Sequence, residues 1–478
     1  MMKIAYLHYH LKTGGVTTVI KQQVQALRHD CDVLVLSGAH PESELPFDVH
    51  VVKGAGYTME GEKGDAPGLV ADRIIDAIHS RWPGGCDILH VHNPVLAKNT
   101  SFLTILKILQ ERGIRLFLHV HDFAEDGRPS AYFKEDYPSD CHYGVINSRD
   151  YRILLESGLC EEGVHKLFNM VRPFESTTQK RKDGNYVLYP VRAIRRKNIG
   201  EAILMSMFFR NGKKLMVTLP PNSDQDVRSH EGWKRFISDN RLNVELEASL
   251  HHDFMELVYN AAFILTTSIT EGFGFSFSEP WTAGKQLWGR KIPDICTDFE
   301  EHGVMFPGFY SNLFVPLEWM GKNAFFEKWT SCIRSSLSLF QPDTTDTDIN
   351  ALFDALTSNG LIDFGLLDEY FQKKVLQRII DDPDASNEMI RNNSFLHNLC
   401  PSIDASVVSG NNRAVRRHYN MDNYRNALLD TYDKIMKTKV SHTIDKDKLI
   451  SAFINTQKLS LLKWGPYDES SDHRRRNA

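Results

Sequence analysis

The densest chemistry in this 478-residue chain lies in Thr270-Glu271-Gly272-Phe273-Gly274-Phe275-Ser276-Phe277-Ser278-Glu279. The stretch follows an apolar run, Ala262-Phe263-Ile264-Leu265-Thr266, and precedes a short helical pattern, so it reads as a strand-to-helix turn. Glycines at 272 and 274 let the backbone come close to a ligand, and N–H groups opening a helix face whatever sits there. A carboxylate at each end can accept hydrogen bonds from two different sets of hydroxyls. A Gly-rich turn with Glu279 merely solvated fits the same letters. A second group, Val191-Arg192-Ala193-Ile194-Arg195-Arg196-Lys197-Asn198, follows the predicted strand Tyr186–Pro190. Strand ends of parallel sheets open into ligand crevices, where Arg192 can fork onto phosphate oxygens and Lys197 supplies a point charge. As a bare cluster of cations it also fits a solvated face.

Two further patterns lie near the beginning of the chain. Lys12-Thr13-Gly14-Gly15-Val16 places two glycines before a helix, an anion-accepting turn. It lacks the G-x-G-x-x-G spacing and the Lys-Ser/Thr of a P-loop, so neither a nicotinamide site nor a P-loop is expected. Three H-x-H pairs, His8/His10, His90/His92 and His119/His121, end predicted strands. Positions i and i+2 of a strand face the same way, so such pairs can hold zinc or iron; they equally suit hydrogen-bonded histidines lining a polar crevice. The expectation is that no metal is bound.

The elements that carry these groups alternate between strand and helix. Lys3–His8, Asp32–Ser37, Val49–Val52, Asp87–His92, Arg115–His121 and Tyr143–Ile146 read as strands, with helices over Val16–Arg28, Leu69–Arg81 and Val95–Arg112. Buried runs such as Val33-Leu34-Val35-Leu36 suit a parallel sheet covered on both faces. The polar segment 175–184 has the composition of a linker, after which strand–helix alternation resumes. The boundaries follow: 1–175 as one Rossmann-like domain, 185–410 as a second with a strandless helical insertion at 325–400, and 411–478 as helices packing back on the first. Residues Gly54–Gly68 read as a loop inside the first domain.

Composition narrows the class. A net charge of -5 gives no general attraction for nucleic acid, and only His473-Arg474-Arg475-Arg476 is locally basic. Seven scattered cysteines without a C-x-x-C fit free thiols in a reducing compartment. No stretch reaches the roughly 20 apolar residues of a transmembrane helix, so a cytoplasmic location is expected. A homo-oligomer is compatible with all of this.

Taken together, in their order and strand contexts, these patterns resemble the GT-B glycosyltransferases, specifically the large retaining group numbered family four. The resemblance runs from the first strand and Gly14-Gly15 to the helix around Tyr419–Tyr432, weakening across the insertion and beyond residue 440. Its marks are E-x7-E at Glu271 and Glu279, and R-x4-K at Arg192 and Lys197. The resemblance implies an α/β protein of two Rossmann-like domains with a cleft between them, holding a UDP- or GDP-sugar donor and no tightly bound cofactor. It implies that Gly14 and Gly15 offer N–H groups to the donor diphosphate, and that Arg192 and Lys197 neutralise that diphosphate as it leaves. Glu271 and the backbone at Phe273, Gly274 and Phe275 would hold the transferred sugar, Glu279 the ribose, and His121 would line the sugar near the acceptor. The segment Ser249–Asp253 corresponds to the nucleobase loop. Val191 stands where the family often has Gly, and the run Pro280–Arg290 is bulkier than usual, so the contacts just past Glu279 are not carried over. The acceptor is expected to be a hydroxyl on a small soluble sugar or sugar-acid. The competing readings are a non-catalytic sugar-nucleotide-binding protein and a metal-dependent hydrolase using the H-x-H pairs.

Overall fold

The computed structural model describes residues 1–58, 64–174, 184–340, 346–399, 402–454 and 459–467. The predicted linker (apart from Gly184), the basic tail and part of the Gly54–Gly68 loop lie outside the described residues. The chain forms two units: Met1–Met170 with His418–Ile454, and Val171–Arg417 with the described residues 459–467.

The first unit is built on strands β1 (Met2–His8), β2 (Cys31–Ser37), β3 (Val49–Val51), β4 (Ile88–His92), β5 (Leu116–Val120), β6 (His142–Val145) and β7 (Val164–Lys166). They form one sheet in the order β3-β2-β1-β4-β5-β6-β7, with every pairing parallel. Alternation along each strand divides the side chains between two dry faces. Ala5, Leu7, Leu89, Val91, Leu118 and Val120 belong to one core with the helices Pro67–Arg81 and Phe102–Glu111. Ile4, Tyr6, Val35 and Phe117 face the helices Gly15–Leu27 and Met421–Lys437. Toward its C-terminal edge this second face is made of imidazoles. His90 lies opposite Tyr6 and Phe117 in the register, and His92 opposite His119. Gly144 lies opposite His119, and a Cβ there would fall 2.6 Å from the Phe117 ring, so the glycine makes the room that these rings fill.

Two sequence expectations change here. The helix expected over Val95–Arg112 begins only at Phe102. Asn93 turns left-handed, at φ 53°, and Asn99 spends its amide on the carbonyls of Gly54 and Gly56, holding the intervening residues as a loop. Strand β7 is three residues long, too short to announce itself by alternation.

The second unit holds β8 (Tyr186–Arg192), β9 (Lys214–Leu219), β10 (Val244–Glu245), β11 (Ile264–Thr266) and β12 (Leu287–Gly289), all parallel in the order β10-β9-β8-β11-β12. Residues 325–400 are not strandless. Within them, β14 (Leu361–Asp363) pairs antiparallel with β13 (Phe314–Pro316). Arg290 ties this pair to the sheet by forking onto both Glu201, at 2.8 and 2.6 Å, and Asp363, at 2.8 Å twice. The bulky run after Glu279 is therefore core: Trp281 and Trp288 are fully buried and Arg290 nearly so. The C-terminal residues, expected as one block from 411, divide instead between the units: helices Met421–Lys437 and Lys446–Phe453 join the first, and Leu461–Trp464 the second.

Burial sets the pH response of the first unit. Desolvation pushes the His8 and His165 pKa down to about 3 and His121 to about 4, and lowers His90, His92 and His119 well below 6.5. These rings stay neutral in the fold but take up protons near pH 6.5 once unfolded. Stability is therefore intact above that value and lost as pH falls from about 6.5 toward 4, with each ring adding a slope of about 1.4 kcal/mol per pH unit. The urea midpoint should fall steeply between pH 7.5 and 5.5, and a flat profile over that window would contradict the neutral-imidazole layer.

Candidate active site

In the second unit the Arg-Lys and Glu motifs meet. Lys197 Nζ donates to Glu271 Oε1, and Arg196 lies 3.8 Å from Glu271 Oε2. Both partners of the Lys197–Glu271 pair are buried, at 12% and 7% side-chain exposure, so each charge depends on the other. The loop that presents Lys197 is tied down through its own carbonyls. Tyr189 donates to Lys197 O at 2.8 Å, and Thr267 donates to the carbonyls of Lys197 and Asn198 at 3.1 Å each. Asn198 is left-handed, at φ 52°, which ends the turn and starts the helix Ile199–Ser206. Tyr189 and Thr267 escaped sequence reasoning because a strand tyrosine and a strand-end threonine carry no motif. Their role depends on two strands far apart in the sequence being neighbours, with Leu188 paired to Ile264.

The two motif carboxylates sit in different electrostatic surroundings. Burial pushes the Glu271 carboxyl up, but Lys197 and Arg196 outweigh it and hold the group below the usual carboxylate range. Burial raises Glu279 to about 7, with Lys197 opposing only in part. Lys197 itself is lowered by burial against the pull of Glu271. Glu279 lies on the helix Phe275–Thr282, whose N-cap, Gly274, is left-handed at φ 92°. A side chain at 274 would be strained and would meet Ile295 at 2.7 Å. Phe273 is buried against Phe299 and Phe275, which fixes the backbone of the turn.

The remaining cations of the cluster separate. Arg192 ends β8 and donates to Pro220 O at 2.8 Å, half-buried. Arg195 turns inward, binding Glu369 at 2.7 and 2.9 Å and the carbonyls of Gly465 and Leu461, and so anchors the C-terminal segment of this unit.

In the first unit, Gly14 and Gly15 are exposed at the start of the helix Gly15–Leu27, and no side chain caps it. A Cβ on Gly15 would meet nothing within 4 Å, so packing does not require a glycine there. His121 lies just past β5. Its N–H and that of Asp122 both donate to Asn93 Oδ1, at 2.8 and 3.0 Å, and its Nε2 is 2.9 Å from His92 Nδ1. His90, His92 and His119 each bring a ring nitrogen within 4.8 Å of the others, a spacing that can suit a metal. However, His90 already uses both nitrogens, on His119 at 3.0 Å and on the Tyr432 hydroxyl at 2.8 Å. The cluster reads as a hydrogen-bonded layer rather than a set of free ligands.

Two units, each built on a parallel sheet covered by helices, make the GT-B fold of glycosyltransferases. Among solved structures, HepE of Anabaena in complex with UDP and glucose matches with a TM-score of 0.52 at 13% identity, covering 91% of this chain and 100% of that one. Sucrose-phosphate synthase of Thermosynechococcus elongatus matches with a TM-score of 0.51 at 11% identity, over 91% of this chain and 100% of that one. No family model matches the sequence. The chain is 26% identical over 415 residues to mannosylglucosyl-3-phosphoglycerate synthase of Petrotoga mobilis, covering 78% of this chain and 80% of that one. The chain is thus a glycosyltransferase homologue, in sequence and in fold.

Removing one member of a buried pair strands the other. Lys197→Met should cost about 3 kcal/mol, with Arg196 preventing a larger loss. Adding Glu271→Gln should recover part of that, giving a coupling of about 1–3 kcal/mol in a double-mutant cycle by urea unfolding. Strictly additive effects would show that the two charges do not depend on each other.

Proposed function

We propose that the protein is a retaining glycosyltransferase that moves a sugar from a nucleoside-diphosphate sugar to a hydroxyl acceptor. The observation that carries this reading is the meeting of Lys197 with Glu271 at the strand ends, with Glu279 close enough to bias Lys197. Breaking the bond between the anomeric carbon and phosphate leaves negative charge on the diphosphate and positive charge on the sugar. Arg192 and Lys197 stabilise the first, and the ionised Glu271, kept so by its cationic neighbours, orients hydroxyls beside the second. Glu279 accepts from the ribose. The Gly14-Gly15 turn and His121 are the matching groups of the first unit. Attack by the acceptor on the face from which phosphate leaves, with phosphate taking its proton, preserves the anomeric configuration. The HepE complex, which contains UDP and glucose, supports a nucleotide-sugar donor.

The acceptor we assign is an anionic sugar-acid, in keeping with the phosphoglycerate in the name of the Petrotoga relative. The first unit offers cations for it. Lys98 holds its ammonium 5.9 Å from the Tyr57 ring, and Tyr57 packs 4.8 Å from the His10 ring. Burial lowers the Lys98 pKa, and Arg128 lowers it further, so the two cations lie close enough to repel. Arg128 also pairs with Asp122, the residue after His121, at 2.9 Å.

Incubation with a nucleotide sugar and an anionic sugar-acid should give a glycoside of retained configuration by proton NMR of the early product. Arg192→Ala should lower kcat by orders of magnitude with the fold intact. An inverted product would remove the retaining assignment, and an unaffected Arg192→Ala would remove the phosphate site. For the acceptor, Lys98→Met should raise its KM by about ten- to a hundredfold, the worth of a charged hydrogen bond, while donor KM stays unchanged. Equal rates with neutral and anionic acceptors would discard the sugar-acid reading but not the transferase.

A further inference from the structure

His92 is wholly buried, and its Nε2 has no hydrogen-bond partner among the described residues. Its other nitrogen, Nδ1, lies 2.9 Å from Nε2 of His121. Burial and the surrounding imidazoles hold the His92 pKa far below 6.5, so the ring carries a single proton. A neutral imidazole has one N–H and one lone pair, and the hydrogen bonds of the ring decide which nitrogen has which. A buried N–H without an acceptor is rarer and costlier than a lone pair without a donor. The proton of His92 therefore belongs on Nδ1, where it has an acceptor, and the orphan Nε2 is the lone pair. His121 must accept at Nε2, which leaves its own proton on Nδ1. That nitrogen has no partner among the described residues.

The neighbouring chain of bonds has the same sense. His119 Nε2 is also buried without a partner among the described residues, so His119 donates from Nδ1 to His90 Nε2, at 3.0 Å. His90 then donates from Nδ1 to Tyr432, at 2.8 Å, and Tyr432 to Tyr6, at 2.9 Å. His8 is anchored separately, its Nδ1 3.0 Å from the carbonyl of His92, which helps hold that strand end.

We infer that His92 is a positioning residue that locks His121 into the Nδ1–H tautomer, so that His121 meets its substrate as a neutral hydrogen-bond donor. The role at the substrate rests on the transferase reading above; the tautomer does not. A donor from Nδ1–H suits a sugar hydroxyl or ring oxygen offering lone pairs. It also rules His121 out as a general base through Nδ1, since that nitrogen holds no free pair.

Neutron diffraction from the deuterated full-length protein at pH 7.5 reads the tautomers directly. Deuterium on Nδ1 and none on Nε2 in both His92 and His121 is the expected result. Deuterium on His121 Nε2, or on both nitrogens of His92, would overturn the inference whether or not the enzyme is active. Kinetics add a second measurement. His92→Gln keeps an amide donor for His121 Nε2 and should retain kcat/KM to within about threefold, whereas His92→Phe should lose about tenfold, the worth of one neutral hydrogen bond. Equal losses in Gln and Phe variants would mean that His92 acts by packing alone, and would also overturn it.

Discussion

A parallel sheet with helices on both faces leaves no wet side, and the polar chemistry of this protein is arranged around that constraint. Any polar group projecting from such a sheet must either find a protein partner or lie at the C-terminal strand ends, where the cover stops. Lys197 and Glu271 do both. They sit at strand ends of β8 and β11, and they are dry enough that each depends on the charge of the other. The imidazole layer of the first unit follows the same rule with neutral groups: rings on β4 and β5 bond one another across the strands, and the chain of bonds runs out to Tyr432 on the helix Met421–Lys437 and back to Tyr6 of β1.

The same constraint makes two carboxylates of one motif unlike. Glu271 has two cations within reach and stays ionised, whereas Glu279 has only a distant share of Lys197 and rises to about 7. Around neutrality one holds a fixed charge while the other is poised between forms. Eight positions of sequence separate them, and the difference comes from which neighbours the loop Arg195–Asn198 brings near. That loop is held through backbone carbonyls by Tyr189 and Thr267, so the position of Lys197 does not rely on its own long, flexible side chain finding Glu271 unaided.

Cations that look alike in the chain differ in how the fold holds them. Arg195 and Arg290 are buried and forked onto carboxylates, Glu369 in the first case and Glu201 with Asp363 in the second. The planar guanidinium with its five donors suits such closed networks. Arg192, three residues before Arg195, is half-buried at a strand end and donates to the Pro220 carbonyl. A helical insertion and a C-terminal segment are fastened to the second unit by the structural pair.

Strand and helix were legible in most of the chain because a parallel sheet demands apolar runs, and runs such as Ile4–Leu7 or Val33–Leu36 permit little else. The motif residues at 271, 279, 192 and 197 were legible because their spacing relative to predicted strands is local information. Three-residue strands such as Val164–Lys166 and Leu361–Asp363 were not, since so short a segment shows no period and is defined by the partner it pairs with. Nor could the letters tell Arg195 from Arg192, or reveal that Asn93 would cap two N–H groups just past β5, 28 and 29 residues away. The three H-x-H pairs show the division most clearly. Their spacing placed each pair on one face of a strand, but which nitrogen of each ring has a partner depends on the register of β1, β4 and β5 and on a tyrosine more than 300 residues along the chain, because burial, proton position and charge are properties of neighbours in space.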